Sequence, residues 1–371
     1  MIIVNPFLGK LLVKCNAYGG FSIYHISNIV TEGRGDQFLK QEALLDYIYQ
    51  NVTPEVDPGT YPVIDQPPIE LLIRGVGWCN QVSSLYVLML EPLDIRGFGL
   101  VLTKVDGDRW VSPHTLAVVV PKGVSEEAYR QMHPNYGPYQ IKGRTPSTPE
   151  GMNTGTVVDP SYGVLFKTPD NQPATLGDLC SQNIHSSQIK LIKNINKVHG
   201  QELFCNQVEL CWANTPISEY KEWRGRICNY IYPILPKWAI HLFQDLVLLK
   251  VYSPLYKGPA YTYIKARNYH LYERFDEAIE NYNEVIEKTS DKETVIASTF
   301  WKGMIYFRKK EFHKAGKIFE SIIEDHPANP KIGFAIAAAR WLKRVKMNQK
   351  IPSRPNKERL YYFELKFEGL L

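Results

Sequence analysis

Three residue types that together carry out acyl transfer stand in order along this chain: Cys79, His114 and Asp159, 35 and 45 residues apart. Attack by sulfur on an acyl carbon needs a thiolate, a base that carries the proton, and a group that orients the base. The surroundings of the cysteine fit that need. The stretch "GVGWCNQ" (75–81) places two glycines before Cys79, and "VSSLYVLML" follows, so the thiol stands where a turn gives way to a helix. A side chain at a helix N-terminus meets uncapped N–H groups and the positive end of the macrodipole. With an imidazolium nearby, those features bring a thiol pKa from about 8.5 to roughly 3.5–7.5. The first amides of the helix can also face a developing oxyanion, and Gly75 and Gly77 allow the backbone to turn sharply.

Each residue taken alone has a plainer reading. Cys79 can be a small buried filler, His114 a hydrogen-bonded strand histidine, and Asp159-Pro160 a turn opener. Trp78 either walls a cleft or packs, and Asn80 and Gln81 either assist an oxyanion or cap the helix. Tyr162 and Gly163 read as shaping the bend after Asp159. The other histidines lack a partner pattern; His133, inside a long loop, is the only one of them with a candidate role.

The elements that must position the three come from periodicity. Residues 41–52 place Leu44, Leu45, Ile48 and Val52 on one helical face, and Thr53-Pro54 ends that helix. After the cysteine, Val82, Leu85, Tyr86, Met89 and Leu90 define the core face of an amphipathic helix that Pro92 stops. The period then changes to two. "FGLVLTK" (98–104), a turn at Asp106-Gly107 and "RWVSPHTLAVVV" (109–120) predict a β-hairpin. Both alternating sets at the end of its second strand are apolar, which predicts a strand covered on both faces. A later strand at 156–166 carries Asp159 at its bend. Between them, 121–155 is rich in Pro, Gly and Ser, and a loop of that length is either a lid over a cleft or a surface excursion.

With the cysteine heading a helix and the His and Asp on strands, the chain resembles a family. "GVGWCNQVSSLYVLML", "SPHTLAVVV" and "VVDPSYGVLF" look like the three core motifs of the transglutaminase-like superfamily, over about residues 35–170. The resemblance implies a papain-related α+β fold with Cys79 as nucleophile, His114 as base and Asp159 as orienting carboxylate. It also implies hydrolysis of an amide in preference to cross-linking, since many members resemble proteases or amidases. The segment 121–155 departs from the family pattern, in which the Asp strand follows soon after the His strand.

Composition bounds the alternatives. With 44% hydrophobic and 22% charged residues and a net charge of +5 over 371 residues, the chain reads as a globular protein of two or three domains and not as a nucleic-acid binder. Six scattered cysteines form no CxxC pair and no metal-ligand spacing, so neither a metal nor a cofactor is expected. The N-terminus lacks the pattern of a signal peptide, and a reducing cytoplasm is the expected home. The most apolar stretch, 229–252, is broken by two prolines, Lys237, His241, Asp245 and Lys250. Those residues oppose a lipid span and favour a buried helix, with an interfacial helix as the lesser reading.

The last third contains a repeat. Ala266, Tyr269, Phe275, Ala278 and Tyr282 match Gly303, Tyr306, Phe312, Ala315 and Phe319 at a constant offset of 37 residues. Small residues let antiparallel helices approach while aromatics fill the gap, an arrangement that resembles the tetratricopeptide repeat, with an offset about three residues longer than usual. That resemblance implies a surface for peptides or partner proteins; hairpins that only brace the first domain are the plainer reading. The basic run from Arg340 to Arg359 reads as a solvated helix face and tail, with a site for anionic partners, polysaccharide or membrane, as the lesser reading.

The sequence therefore predicts an α+β protein with a transglutaminase-like domain over 1–170, a mostly helical segment over 171–257, tetratricopeptide-like hairpins over 258–347 and a basic tail over 348–371. The expected activity is that of a cysteine protease, amidase or related acyltransferase acting on a protein or peptide through a thioester, with no cofactor. A non-catalytic adaptor, with the hairpins binding protein partners, stands as the alternative.

Overall fold

A computed structural model describes residues 20–54, 68–93, 95, 97–106, 109–120, 155–189, 207–211, 236–325 and 333–350. In chain order the elements are helices α1 (Gly20–Val30), α2 (Gln37–Asn51), α3 (Pro68–Arg74) and α4 (Cys79–Leu90), then strands β1 (Gly97–Asp106), β2 (Arg109–Val119), β3 (Thr156–Asp159) and β4 (Val164–Leu165). Helix α5 (Leu176–Cys180), strand β5 (Gln207–Cys211) and helix α6 (Lys237–Val247) follow. The chain then continues in helices α7 (Gly258–Leu271), α8 (Phe275–Lys288), α9 (Lys292–Arg308), α10 (Phe312–Asp325) and α11 (Gly333–Lys350). A run of antiparallel strands followed by a run of helices is the α+β class the sequence predicts. The described residues of 27–54 and 77–221 form one compact unit, and those of 1–26, 55–76 and 222–355 another.

The first unit is built on a five-stranded sheet in the order β4-β3-β2-β1-β5, each neighbouring pair antiparallel. Strand β2 lies at its centre. Residues 114–120 are all buried, so both alternating sets of side chains are covered, as their apolar character predicts. Helix α4 packs on β2 and β1 with Val82, Leu85, Tyr86, Met89 and Leu90 all buried, and α2 packs on α4. Leu44, Leu45, Ile48 and Val52 are buried on the same core. Each such side chain contributes about 1.5–3 kcal/mol on full burial, which fixes the helix carrying Cys79 at its first turn against the strand carrying His114.

Two details of the sheet matter for chemistry. The β1–β2 register runs from Leu102↔His114 to Lys104↔Val111, so β2 carries one extra residue there. The bulge takes up Ser112-Pro113, and proline, having no N–H for the ladder, is tolerated at such a break. The predicted strand 156–166 is in fact two strands, β3 and β4, separated by a turn over Pro160–Gly163. Gly163 is left-handed with φ +65°, and a Cβ there would strike the Tyr49 ring. Strand β5 falls in the segment read from sequence as mostly helical; five residues at a sheet edge, with only Val208 and Leu210 alternating, leave little periodic signal. The proposed lid, 121–155 with His133, lies outside the described residues except for Gly155, as does the tail beyond Lys350.

The second unit is made of helices. α7 pairs with α8, α9 with α10, and α11 packs on α10 and α9. The 37-residue offset read in the side chains recurs in the backbone. Glu273 and Lys310 both take φ +62°, and Arg274 and Glu311 donate their amides to Tyr269 and Tyr306 respectively, so the two hairpin turns are equivalent. Ala266, Ala278, Ala315 and Gly303 are buried, and a Cβ on Gly303 would collide with Phe319, the aromatic of its own repeat.

The first hairpin also holds α3. Arg267, fully buried, donates from Nη2 to the Leu72 carbonyl at 2.5 Å and from Nε to the Ile73 carbonyl at 3.0 Å, while its guanidinium lies 3.8 Å from the Trp301 ring centroid. Those carbonyls belong to the last turn of α3, where no intrahelical donor remains. Gly75, with φ +73°, then ends the helix, and the Trp301 ring occupies the space a Cβ would need. The apolar stretch 229–252 is corrected in one respect. Where it is described, the helix is buried on one face only: Gln244, Leu248 and Tyr252 are buried, while Trp238, Leu242 and Leu249 are exposed. Among the described residues no helix is long and apolar enough to cross a membrane.

Candidate active site

The sheet ladder explains how Asp159 reaches His114 despite the long segment between them. Ala117 pairs with Val158, Val118 with Val157 and Val119 with Thr156. One further step sets Asp159 opposite Leu116, and the two-residue period of a strand then puts His114 on the same face, diagonal to it. The side chains complete the approach: His114 Nε2 lies 2.7 Å from Asp159 Oδ2, with both residues buried. The intervening chain leaves the pairing of β2 and β3 intact.

The turn after β3 fixes the other carboxylate oxygen. Asp159 Oδ1 accepts from the Ser161 amide at 3.0 Å and the Tyr162 amide at 3.3 Å. Both oxygens are therefore engaged, and the carboxyl group cannot rotate away from the ring without giving up backbone bonds. Tyr162 packs its edge against the His114 ring, with centroids 5.8 Å apart and planes at 67°. Read from sequence only as a bend former, it also confines the imidazole. Because Asp159 engages Nε2, the nitrogen left for a second partner is Nδ1.

That second partner is Cys79. The thiol lies within electrostatic reach of His114 and of the backbone and hydroxyl of Thr115. Burial on its own raises the thiol pKa, but the hydrogen bond and charge of His114, followed by the donors of Thr115, overcome it and hold the thiol below its ordinary value. Burial would likewise lower His114, yet the Asp159 charge and hydrogen bond, then those of Cys79, outweigh it and push the imidazole up to about 10. Both directions favour a thiolate beside an imidazolium, the form in which sulfur is nucleophilic.

The helix start is capped from one side. Trp78 precedes the helix and donates its amide to Gln81 Oε1 at 3.1 Å, half of a capping box. The Gln81 amide in turn bonds Asn80 Oδ1 at 2.9 Å. Gln81 and Asn80 thus serve the cap, one of the two roles left open for them. The first intrahelical bond runs from the Val82 amide to the Trp78 carbonyl at 2.9 Å. Helix geometry leaves the amides of Cys79 and Asn80 without intrahelical acceptors, at the end of α4 where the thiol sits.

All three residues singled out from sequence are therefore brought together in one unit. Sequence reading missed Thr115 and Ser83, whose hydroxyl donates to the Thr115 carbonyl at 3.0 Å. The one available signal was position: Thr115 directly follows His114, and Ser83 lies one turn beyond Cys79. No protein-family model matches the chain, and no curated protein or solved structure matches it either.

Proposed function

We propose that the chain is a cysteine-dependent acyl-transfer enzyme that hydrolyses amide or peptide bonds, on a transglutaminase-like, papain-related fold. The observation that carries this reading is the meeting of the half-buried Cys79 with the buried His114–Asp159 pair, whose electrostatics favour the thiolate. The Cys79 thiolate attacks the acyl carbon and a C–S bond forms, while the carbonyl oxygen becomes an oxyanion. The free amides at the start of α4 are the donors the chain offers to that charge. The His114 imidazolium gives its proton to the leaving nitrogen as the C–N bond breaks, leaving a thioester and neutral imidazole. Neutral His114 then takes a proton from water as the new C–O bond forms, and collapse of this second adduct releases a carboxylic acid and restores thiolate and imidazolium. Asp159 orients the ring throughout. A reducing cytoplasm keeps such a thiolate from oxidation.

The stacked hairpins of α7–α11 support a second element of the proposal, a tetratricopeptide-like surface that binds a protein partner or substrate. An activated ester tests the chemistry without knowledge of the natural substrate. With p-nitrophenyl acetate, the wild-type chain releases a burst of one equivalent of p-nitrophenolate and carries an acetyl group on Cys79, and Cys79→Ala abolishes both. A burst that survives Cys79→Ala, or the absence of a burst, favours an adaptor.

A further inference from the structure

Helix α6 docks through polar side chains and turns apolar ones outward. Gln244, buried, donates from Nε2 to the Asn268 carbonyl of α7 at 2.9 Å and accepts from Arg274 Nη1 at 3.3 Å. Arg274 Nη1 also donates to Asp245 Oδ1 at 2.8 Å. These bonds fix α6 on the first hairpin with Trp238 69%, Leu242 41% and Leu249 55% exposed. Positions 238, 242 and 249 share one helical face. A helix that meets only water there places such side chains inside and its glutamine outside. The π-helical turn Leu248–Tyr252 that continues α6 preserves the arrangement. Its wider turn keeps Leu248 and Tyr252 in line with Gln244 on the buried side, and Leu249 in line with Trp238 on the other. Leu255 and Tyr256, both exposed, extend the strip.

We propose that this strip docks the chain on an anionic lipid bilayer, with the helix lying in the headgroup region and not crossing it. Charge selects that occupant. The exposed ions that border the apolar residues are cations: Lys250 follows Leu249, and Lys257 is held at the far end by donating to the Ser253 carbonyl at 2.6 Å. The one acid on the strip's own helical face, Asp245, is already neutralised by Arg274. A second copy offering the same strip would therefore bring no unpaired carboxylate to these lysines. At a membrane the tryptophan and leucines enter the boundary of the acyl chains while the ammonium groups stay with the anionic headgroups. This inference is independent of the reading of Cys79.

The test is co-sedimentation of the full chain with vesicles of phosphatidylcholine alone and of equal parts phosphatidylcholine and phosphatidylserine. Wild type is expected to bind the phosphatidylserine vesicles about tenfold more tightly than the neutral ones, and less tightly as salt is added. The double variant Leu242→Glu, Leu249→Glu loses binding about tenfold or more, and Lys250→Glu with Lys257→Glu removes the preference for phosphatidylserine. Quenching of tryptophan fluorescence by brominated lipid, diminished in Trp238→Phe, places the strip in the bilayer. All the substituted side chains are exposed, so the fold is expected to persist, and circular dichroism checks it. Wild type that stays in the supernatant with phosphatidylserine vesicles overturns the proposal. So does binding that is unchanged in Leu242→Glu, Leu249→Glu, which assigns the lipid affinity elsewhere on the chain. A concentration-dependent dimer in light scattering that the same double variant abolishes also overturns it, because a second copy then covers the strip. The burst with p-nitrophenyl acetate is unchanged in these variants, so either reading can fail alone.

Discussion

Asp159 Oδ2 lies 2.7 Å from His114 Nε2, while the other oxygen of the same carboxylate is held by the amides of Ser161 and Tyr162. One side chain thus both closes the turn after β3 and sets the ring on β2. These two jobs can be separated. Asp159→Asn keeps an oxygen for the two amides and removes the negative charge facing the ring. The expected result is a fall of about 10²–10⁴ in the rate of acyl transfer, with a thermal midpoint close to wild type, measured by burst kinetics and calorimetry on the same preparation.

The pH dependence follows from the directions of the two shifts. The thiol is held low, so the reactive thiolate is present above that depressed pKa and is lost as pH falls through it. The imidazole is pushed up to about 10, so the imidazolium that protonates the leaving group is present below that value and is lost as pH rises through it. Acyl transfer to p-nitrophenyl acetate should therefore hold a plateau across neutral pH. Its acid limb lies below the ordinary cysteine range, and for amide substrates a basic limb appears toward pH 10. Initial rates across a buffer series check both limbs.

Gly163 tests the turn. With φ +65° and the Tyr49 ring where a Cβ would go, Gly163→Ala meets both backbone strain and a steric clash. A loss of about 1–3 kcal/mol is expected, read as a lowered midpoint in urea, together with slower acyl transfer because Asp159 is carried by the same turn.

Arg267 tests the helical unit. Its guanidinium is fully buried, satisfies the Leu72 and Ile73 carbonyls and lies over Trp301. Arg267→Met keeps much of the aliphatic bulk but strands two carbonyls in the interior, each costing about 1–3 kcal/mol. A destabilisation of about 2–4 kcal/mol is expected, measured by denaturant unfolding followed through tryptophan fluorescence.

How much of this is legible in the sequence depends on whether the signal is local. The faces of α2 and α4 are legible because Leu44, Ile48, Val82, Leu85, Tyr86 and Met89 recur at helical spacing, and all are buried. The hairpin is legible from a change of period at Phe98. The equivalence of the two helical turns is legible because Glu273 and Lys310 lie at the same offset as the small and aromatic residues around them. Cys79, His114 and Asp159 can be named because each sits at a recognisable boundary, and the structure brings them together. The clamp of Arg267 on Ile73 joins residues 194 apart and leaves no periodic trace. Nor does the bond from Ser83 to the Thr115 carbonyl, which depends on how α4 meets a bulged strand. The half-exposed helix α6 departs from the buried helix expected there, because an apolar stretch announces its composition and not which of its faces finds a partner.

Site-selective alkylation at about pH 6, well below the ordinary cysteine range, tests the central claim most directly. The chain is treated briefly with iodoacetamide, and the modified cysteines are mapped by mass spectrometry in wild type and in His114→Ala. Cys79 is expected to be modified well ahead of the other five thiols in wild type and to lose that lead when the imidazole is removed. Equal modification of all six cysteines, or a Cys79 lead unchanged in His114→Ala, would contradict it.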